Sequence, residues 1–346
     1  MSRSIPKYTN INPFISSLPL YPRYEIIKCI LMAPIAIIKF LVIIIILLLM
    51  YICSLIIVCN IKQDKLFSNF QNFLVNVMRY LSRALLFVFG FYKINFYDFR
   101  ENNNNKSAII VANHCSMFDQ FIISNFINCS GASKHDNFNL AFMSTMLKAT
   151  QCISIDRTSP ESRQDAINKI KERALNKNLP PLIVFPQGTT CVNSCLTSFK
   201  PGAFLPGVSI QPVCLMYNFK QLDLYYGFKS DLYYIFMTLC QFVNYATCVF
   251  LPVYDPSQDE INNAELYANN VRDSMNKLLT SNLSNHSYAD IRLIRAAMKK
   301  DIAIDFTVQD AKDYANITLD EILEHMKIYD KSNNISFREY LNNKIN

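Results

Sequence analysis

From Phe40 to Cys59 the chain reads FLVIIIILLLMYICSLIIVC, twenty residues without a charge. Such a run rises about 30 Å as a helix, the thickness of a hydrocarbon core. It is preceded by a second apolar stretch, Cys29–Ile38, interrupted by Pro34 and set off from the main run by Lys39. The pattern predicts an N-terminal membrane helix, or a helical hairpin embedded in one leaflet if the chain bends near the proline. The leading 39 residues are too long for the n-region of a cleaved signal peptide, so the segment reads as a retained anchor.

Beyond the anchor the periodicity changes. An amphipathic helical stretch covers about Leu66 to Phe91, and the polar sequence Arg100–Lys106 reads as an exposed loop. Short β-rich runs follow at Ala108–Ala112, Leu182–Phe185, Ser209–Tyr217 and Thr247–Tyr254. Between the first two, Ser159–Lys177 has the marks of a helix, with Ser159 as N-cap, Pro160 at the first helical position and Ile167, Ile170 and Ala174 on one face. Alternating strands and helices predict an α/β layer domain. The expected organisation is a polar N-terminal segment (1–27), a membrane anchor (28–62), an amphipathic helical connector (63–100), a globular α/β domain (101–280) and a small helical C-terminal region (281–346).

Composition supports this picture and narrows it. The 346 residues are 51% hydrophobic and 18% charged, which excludes a disordered chain. The net charge of +7 is spread along the sequence without a basic block, so no nucleic-acid partner is expected, and the modest excess suits anionic lipid or phosphorylated substrates. The eleven cysteines are odd in number and several sit in apolar runs, which argues against a disulfide framework. Cys191 and Cys195 have a ligand-like spacing but no second pair and no neighbouring His, so no metal is expected.

The most informative segment is Asn113-His-Cys-Ser-Met-Phe-Asp119, at the junction of a strand and a helix. An Asp in the first helical turn can bond one imidazole nitrogen of His114, fix the tautomer and leave the other nitrogen as a general base. The same residues read equally as a capping box, Ser116-x-x-Asp119, with His114 merely packed. Cys115 is a poor nucleophile candidate, because neighbours on an extended chain point to opposite sides.

A second segment, Phe185-Pro-Gln-Gly-Thr-Thr190, closes the LIVF strand and is followed by Lys200-Pro-Gly. Three of the six glycines in the chain, Gly188, Gly202 and Gly207, fall within twenty residues here. A tight turn at a strand end with Thr189 and Lys200 nearby suits a phosphate, although an ordinary Pro/Gly turn has the same composition. Between the two segments, Ile153-Ser-Ile-Asp156-Arg157 ends in an arginine able to hold a phosphate or carboxylate.

Taken in order, Asn-His-(x)4-Asp, Ile-Asp-Arg, Phe-Pro-Gln-Gly-Thr and the SIQPV strand resemble the four blocks of the glycerolipid acyltransferases with the HxxxxD motif. FPQGTTCVNSCLTSFKPGAFLPGVSIQPV and TLCQFVNYATCVFLPVYDPSQDEINNAELYANNVR are similar to the lysophosphatidylcholine acyltransferase branch. The resemblance covers roughly Arg79 to the C-terminus. It implies an acyltransferase domain with a mixed sheet flanked by helices, His114 as the base that deprotonates the acceptor hydroxyl and Asp119 as its partner. Substrate-binding residues on this reading are Asp156, Arg157, Gln187, Gly188, Thr189 and Lys200. The third block normally carries Glu where this chain has Gln187, which removes a charge and puts acceptor choice or activity in question.

The implied reaction moves a fatty acyl group from acyl-CoA, a co-substrate, to a lysophospholipid hydroxyl, with lysophosphatidylcholine the expected acceptor and no bound cofactor. Glycerol 3-phosphate or lysophosphatidic acid acylation is the alternative within the same blocks. A non-catalytic lipid-binding membrane protein is the alternative outside enzymes. A thioesterase is disfavoured by the lack of a G-x-S-x-G elbow. The expected location is the endoplasmic reticulum membrane with the site facing the cytosol; free cysteines favour that side and the sequons at Asn105 and Asn282 the other. Asp330–Glu339 resembles a remnant of an EF-hand loop, shortened to ten residues and without the glycine that calcium binding requires.

Overall fold

The computed structural model describes residues 12–16, 21–59, 67–100, 107–156, 160–176, 179–218, 222–225, 227, 230–329 and 335–345. Its first element, α1 (Pro22–Cys59), is one continuous helix of 38 residues, long and apolar enough to cross a membrane. The chain therefore does not reverse at Pro34. A proline deletes a single backbone donor, and packing of the flanking turns on neighbouring elements holds the helix through it. A buried stripe of Cys29, Met32, Ala36, Ile43, Ile46, Met50 and Ile57 recurs every three or four residues, or twice that. The remaining faces expose Ile30, Leu31, Ile44, Ile45, Leu48 and Leu55, a surface that only an apolar solvent would cover favourably.

The reversal comes after Cys59. Helix α2 (Asn69–Val88) runs back along α1, with Gln71 Nε2 donating to Ile57 O and Ser54 next to Met78. A reciprocal cap starts it: Ser68 Oγ accepts from Gln71 N and Gln71 Oε1 accepts from Ser68 N. It ends at Gly90, whose φ of 92° turns the chain into the sheet.

The elements that follow are β1 (Ile94–Asp98), β2 (Ile109–Ala112), α3 (Asp119–Ser124), β3 (Ala132–Lys134), α4 (His135–Phe138), α5 (Ala141–Ala149), β4 (Ile153–Ile155), α6 (Pro160–Leu175), β5 (Leu182–Val184), β6 (Cys195–Thr197), β7 (Ile210–Tyr217), α7 (Asp231–Leu239) and β8 (Ala246–Phe250). The main sheet has the order β1-β8-β7-β2-β5 and is mixed: β7 and β8 are antiparallel, and the other pairs are parallel. Strand β4 pairs with β3 in a small separate sheet.

Two findings adjust the expected elements. Strand β1 lies in the stretch expected to be a helical connector; its INFYD sequence sits at a sheet edge with most side chains exposed, so it lacks the alternation that marks a half-buried strand. Strand β8 stops at Phe250, because Pro252 cannot donate to a ladder. Tyr254 rejoins the sheet through paired backbone bonds with Ile210.

One face of the sheet packs on α1, α2 and α7 through Phe91, Ile110, Phe118, Val213 and Phe250. The other buries Ile109, Val111, Ile210 and Cys214 against α6 and against Tyr267 and Val271 of α9 (Ala264–Leu279), which follows the short α8 (Gln258–Asn262). Strand β9 (Asn282–Ser284) pairs with β6 and ties the C-terminal region to the domain. Helices α10 (Tyr288–Lys299), α11 (Val308–Ala315), α12 (Leu319–Ile328) and α13 (Phe337–Ile345) share a core of Leu293, Phe306, Ile322, Met326 and Phe337. In the EF-hand-like stretch, 330–334 lie outside the described residues, and Glu339 accepts from Ser336 N at 2.9 Å as a cap of α13.

The segment before α1 also reaches the domain. Val192 N donates to Pro13 O at 2.9 Å, and Phe14 is buried with Cys191, Val192, Cys195, Tyr225, Ile291 and Ile294.

Candidate active site

Three parallel neighbours, β5, β2 and β7, bring their carboxyl ends to one edge of the sheet, and the loops that leave β2 and β5 face each other there. This is where an α/β sheet presents ligands. Beyond the last residue of β2 the edge of β7 is completed by side chains. Asn113 donates to Leu215 O at 2.8 Å and accepts from Leu215 N at 2.7 Å, and Asn193 makes the same pair of contacts with Tyr217. These amides replace the missing strand and fix the chain on either side of His114.

His114 Nδ1 lies 2.7 Å from Asp119 Oδ2. The carboxylate is fully buried, whereas the imidazole is a quarter exposed. The same Oδ2 accepts from the backbone N–H groups of Cys115 (2.7 Å) and Ser116 (3.0 Å), and Oδ1 accepts from the Tyr217 hydroxyl. One half of the expected capping box is present, Ser116 N on Asp119, while Ser116 Oγ accepts from Phe118 N instead of Asp119 N; the same carboxylate organises the loop and orients the ring. With Nδ1 committed, Nε2 is the ring nitrogen not held by Asp119. Phe185 stacks on the imidazole at 4.1 Å between centroids and 17° between planes, which holds the ring against rotation.

Gln187 is buried, with both ends of its amide used inside the protein. Its Oε1 accepts from His114 N at 2.6 Å; its Nε2 donates to Thr197 Oγ1 at 3.0 Å and to Cys191 Sγ at 3.1 Å. The residue ties the His114 loop to β6 rather than lining an open face, and Cys191 N closes the same junction on His114 O at 3.0 Å. Gly188 has a φ of 70°, so the turn needs a residue tolerant of the left-handed region. Thr189 is partly exposed beside it. Lys200 is drawn to the turn by its backbone N–H, which donates to Pro186 O at 2.8 Å, and its side chain is exposed. Asp156 follows β4 of the small sheet, and Arg157 lies outside the described residues.

Cys115 is buried, and burial pushes its thiol well above the ordinary range, which keeps it protonated and unreactive. Burial pushes Cys191 up to about 12. Cys191 and Cys195 are linked through a thiol-to-carbonyl contact of 3.2 Å, and no group of metal-ligating side chains occurs among the described residues. Residues that the sequence did not single out are Tyr217, Asn193 and Tyr234; Tyr234 reaches Ser116 Oγ at 3.2 Å from α7. Only the position of Tyr217 at the end of the SIQPVCLMY strand hinted at its place.

The stretch that contains both loops, residues 93–216, matches the acyltransferase family model. The chain extends well beyond that stretch on both sides. Among curated proteins it is similar to lysophosphatidylcholine acyltransferase 1 of Rattus norvegicus, 31% identical over 223 residues that cover 64% of this chain and 42% of that one. Lysophosphatidylcholine acyltransferase 2 of the same organism is 33% identical over 226 residues, covering 64% and 41%. Lysophospholipid acyltransferase LPEAT2 of Arabidopsis thaliana is 28% identical over 291 residues, covering 84% and 54%. The chain therefore spans about two fifths to one half of the length of these relatives. A solved structure, the 1-acyl-sn-glycerophosphate acyltransferase PlsC of Thermotoga maritima, is similar with a TM-score of 0.43 at 16% identity over 69% of this chain and 97% of that one. Within the matched stretch, the His114 loop leaves β2 between its neighbours β7 and β5.

Proposed function

We propose that the protein transfers a fatty acyl group from acyl-CoA to the free hydroxyl of a lysophospholipid, with lysophosphatidylcholine as acceptor. The observation that carries this is the ordered His114–Asp119 pair at the carboxyl edge of the sheet in an acyltransferase domain. His114 Nε2 takes the proton of the acceptor hydroxyl as its oxygen attacks the thioester carbonyl; the C–S bond breaks, the ester forms, and CoA leaves as thiolate to be protonated. Gly188, Thr189, Lys200, Asp156 and Arg157 bind the acceptor on this reading, the cationic pair taking its phosphate. No cofactor is required for this chemistry.

The bilayer delivers the acceptor. Both the segment before α1 and helix α2 after it contact the same domain, which supports an α1–α2 pair that enters and leaves the membrane on one side. The unpaired cysteines support a cytosolic face of the endoplasmic reticulum membrane. Gln187 supports activity, since its amide is fully used in holding His114 and does not mark a decayed site. The test is transfer from labelled acyl-CoA by membranes that contain the chain, offered lysophosphatidylcholine, lysophosphatidic acid or glycerol 3-phosphate in parallel. Product from the first acceptor supports the reading; product from another reassigns the headgroup; none from any, with the protein folded, refutes it.

A further inference from the structure

Asp119 is fixed from two directions. The loop that carries His114 supplies the imidazole and two backbone N–H groups to Oδ2, and β7 supplies the Tyr217 hydroxyl to Oδ1. A buried carboxylate needs such donors on both oxygens to stay ionised. Tyr217 is itself held rigidly. Its backbone N–H and C=O both pair with the Asn193 amide, and its ring lies at the edge of Phe91. It belongs to the strand beside β2, so the phenol reaches the carboxylate without a flexible segment between them.

We infer that Tyr217 is a positioning residue for the transfer reaction: its hydroxyl sets the orientation and the proton affinity of Asp119, and through Asp119 the basicity of His114. The inference rests on the reading of His114 as the base. Tyr217 does not touch the reacting atoms. Burial, and then the adjacent Asp119 charge, push its phenol well above the ordinary range, so it stays a donor throughout the working pH range.

The groups that face Asp119 allow the direction of the effect to be derived. Beside His114 and Tyr217 the groups near enough to feel its charge are Cys115 on the same loop, Cys191 after the Gly188 turn, Cys248 on β8 and Tyr234 on α7; Asp223 acts on Cys115 and Tyr234. Burial raises each of these thiols and phenols, which leaves them neutral. Asp223 is a carboxyl whose own proton affinity is raised by burial. The hydrogen bond to Oδ1 comes from the Tyr217 hydroxyl. Without the phenol, Asp119 holds more charge on its oxygens. It then either stabilises the imidazolium of His114 more strongly or takes up a proton itself. Both outcomes demand a higher pH before the base is ready.

The experiment compares pH profiles of kcat/KM for acyl transfer by membranes that contain the wild-type chain, Tyr217→Phe, or the chain with 3,5-difluorotyrosine at position 217; His114→Ala is the control. The acid limb is expected to move up by about one pH unit in Tyr217→Phe, about tenfold in rate at a fixed pH on that limb, and to recover at alkaline pH. The fluorinated phenol, a stronger donor of nearly the same shape, is expected to move the limb down. A Tyr217→Phe chain that loses activity uniformly at all pH values, or a fluorinated chain whose limb stays in place, would overturn the inference and leave Tyr217 a packing residue. The readings separate cleanly: full activity in His114→Ala removes the base itself, whereas an inactive His114→Ala with an unmoved Tyr217→Phe limb removes only the role of Tyr217.

Discussion

The chemistry of the site is set by what each side chain is prevented from doing. His114 cannot rotate, because Phe185 covers one face of the ring and Asp119 holds Nδ1. Replacing Asp119 with Asn keeps the size but loses the charge and favours the wrong tautomer, so transfer should fall about 10²–10⁴-fold while the protein stays folded, a result read from initial rates beside the unfolding midpoint. Cys115 is predicted to be chemically silent: its raised thiol affinity keeps the thiolate scarce at pH 7–8, so alkylation of the native protein should spare it, and Cys115→Ala should retain most activity. Gln187 carries a different prediction. Removing its amide in Gln187→Leu leaves the His114 N–H buried without its acceptor, at a cost of about 1–3 kcal/mol of stability. Gln187→Glu, by contrast, should be tolerated, because the carboxylate keeps the acceptor and the Thr197 hydroxyl can turn to donate; denaturation of the two variants in detergent separates them.

At the scale of elements, the sequence made the central strands and the anchor legible and left the edges obscure. The runs that became β2, β5 and β7 are apolar because both faces of those strands are buried, and buried parallel strands advertise themselves in composition. Strand β1 has an exposed aromatic sequence and pairs only along one edge, so nothing local distinguished it from a loop. The continuity of α1 through Pro34 was equally hidden, since it depends on packing by α2, α5 and α7 rather than on the local sequence. His114 and Asp119 were readable because only four residues separate them across a strand-to-helix junction. Tyr217 was not, because the strand pairing that brings it to Asp119 spans about a hundred residues. Phe14 shows the same limit: from outside the family match it fills a pocket against the chain that follows the Gly188 turn. Phe14→Ala should cost about 3–5 kcal/mol and loosen the 191–195 segment, which hydrogen exchange would reveal as lost protection there.

On the scale of the whole molecule, the apolar exposure of α1 and the attachment of both its flanks to the domain support the proposed seat on one face of a bilayer. The sheet edge that holds His114 shares its core with α1, α2 and α7. Cysteines introduced near Asn12 and near Asn285 should label from the same side of sealed membranes; labelling from opposite sides would contradict the one-sided placement. The central claim is nevertheless chemical. The decisive measurement is transfer of labelled acyl chain from acyl-CoA to lysophosphatidylcholine by membranes that contain the wild-type chain or His114→Ala in equal, folded amounts. The account predicts phosphatidylcholine from the wild type and none above background from the variant, and equal product from both would contradict it.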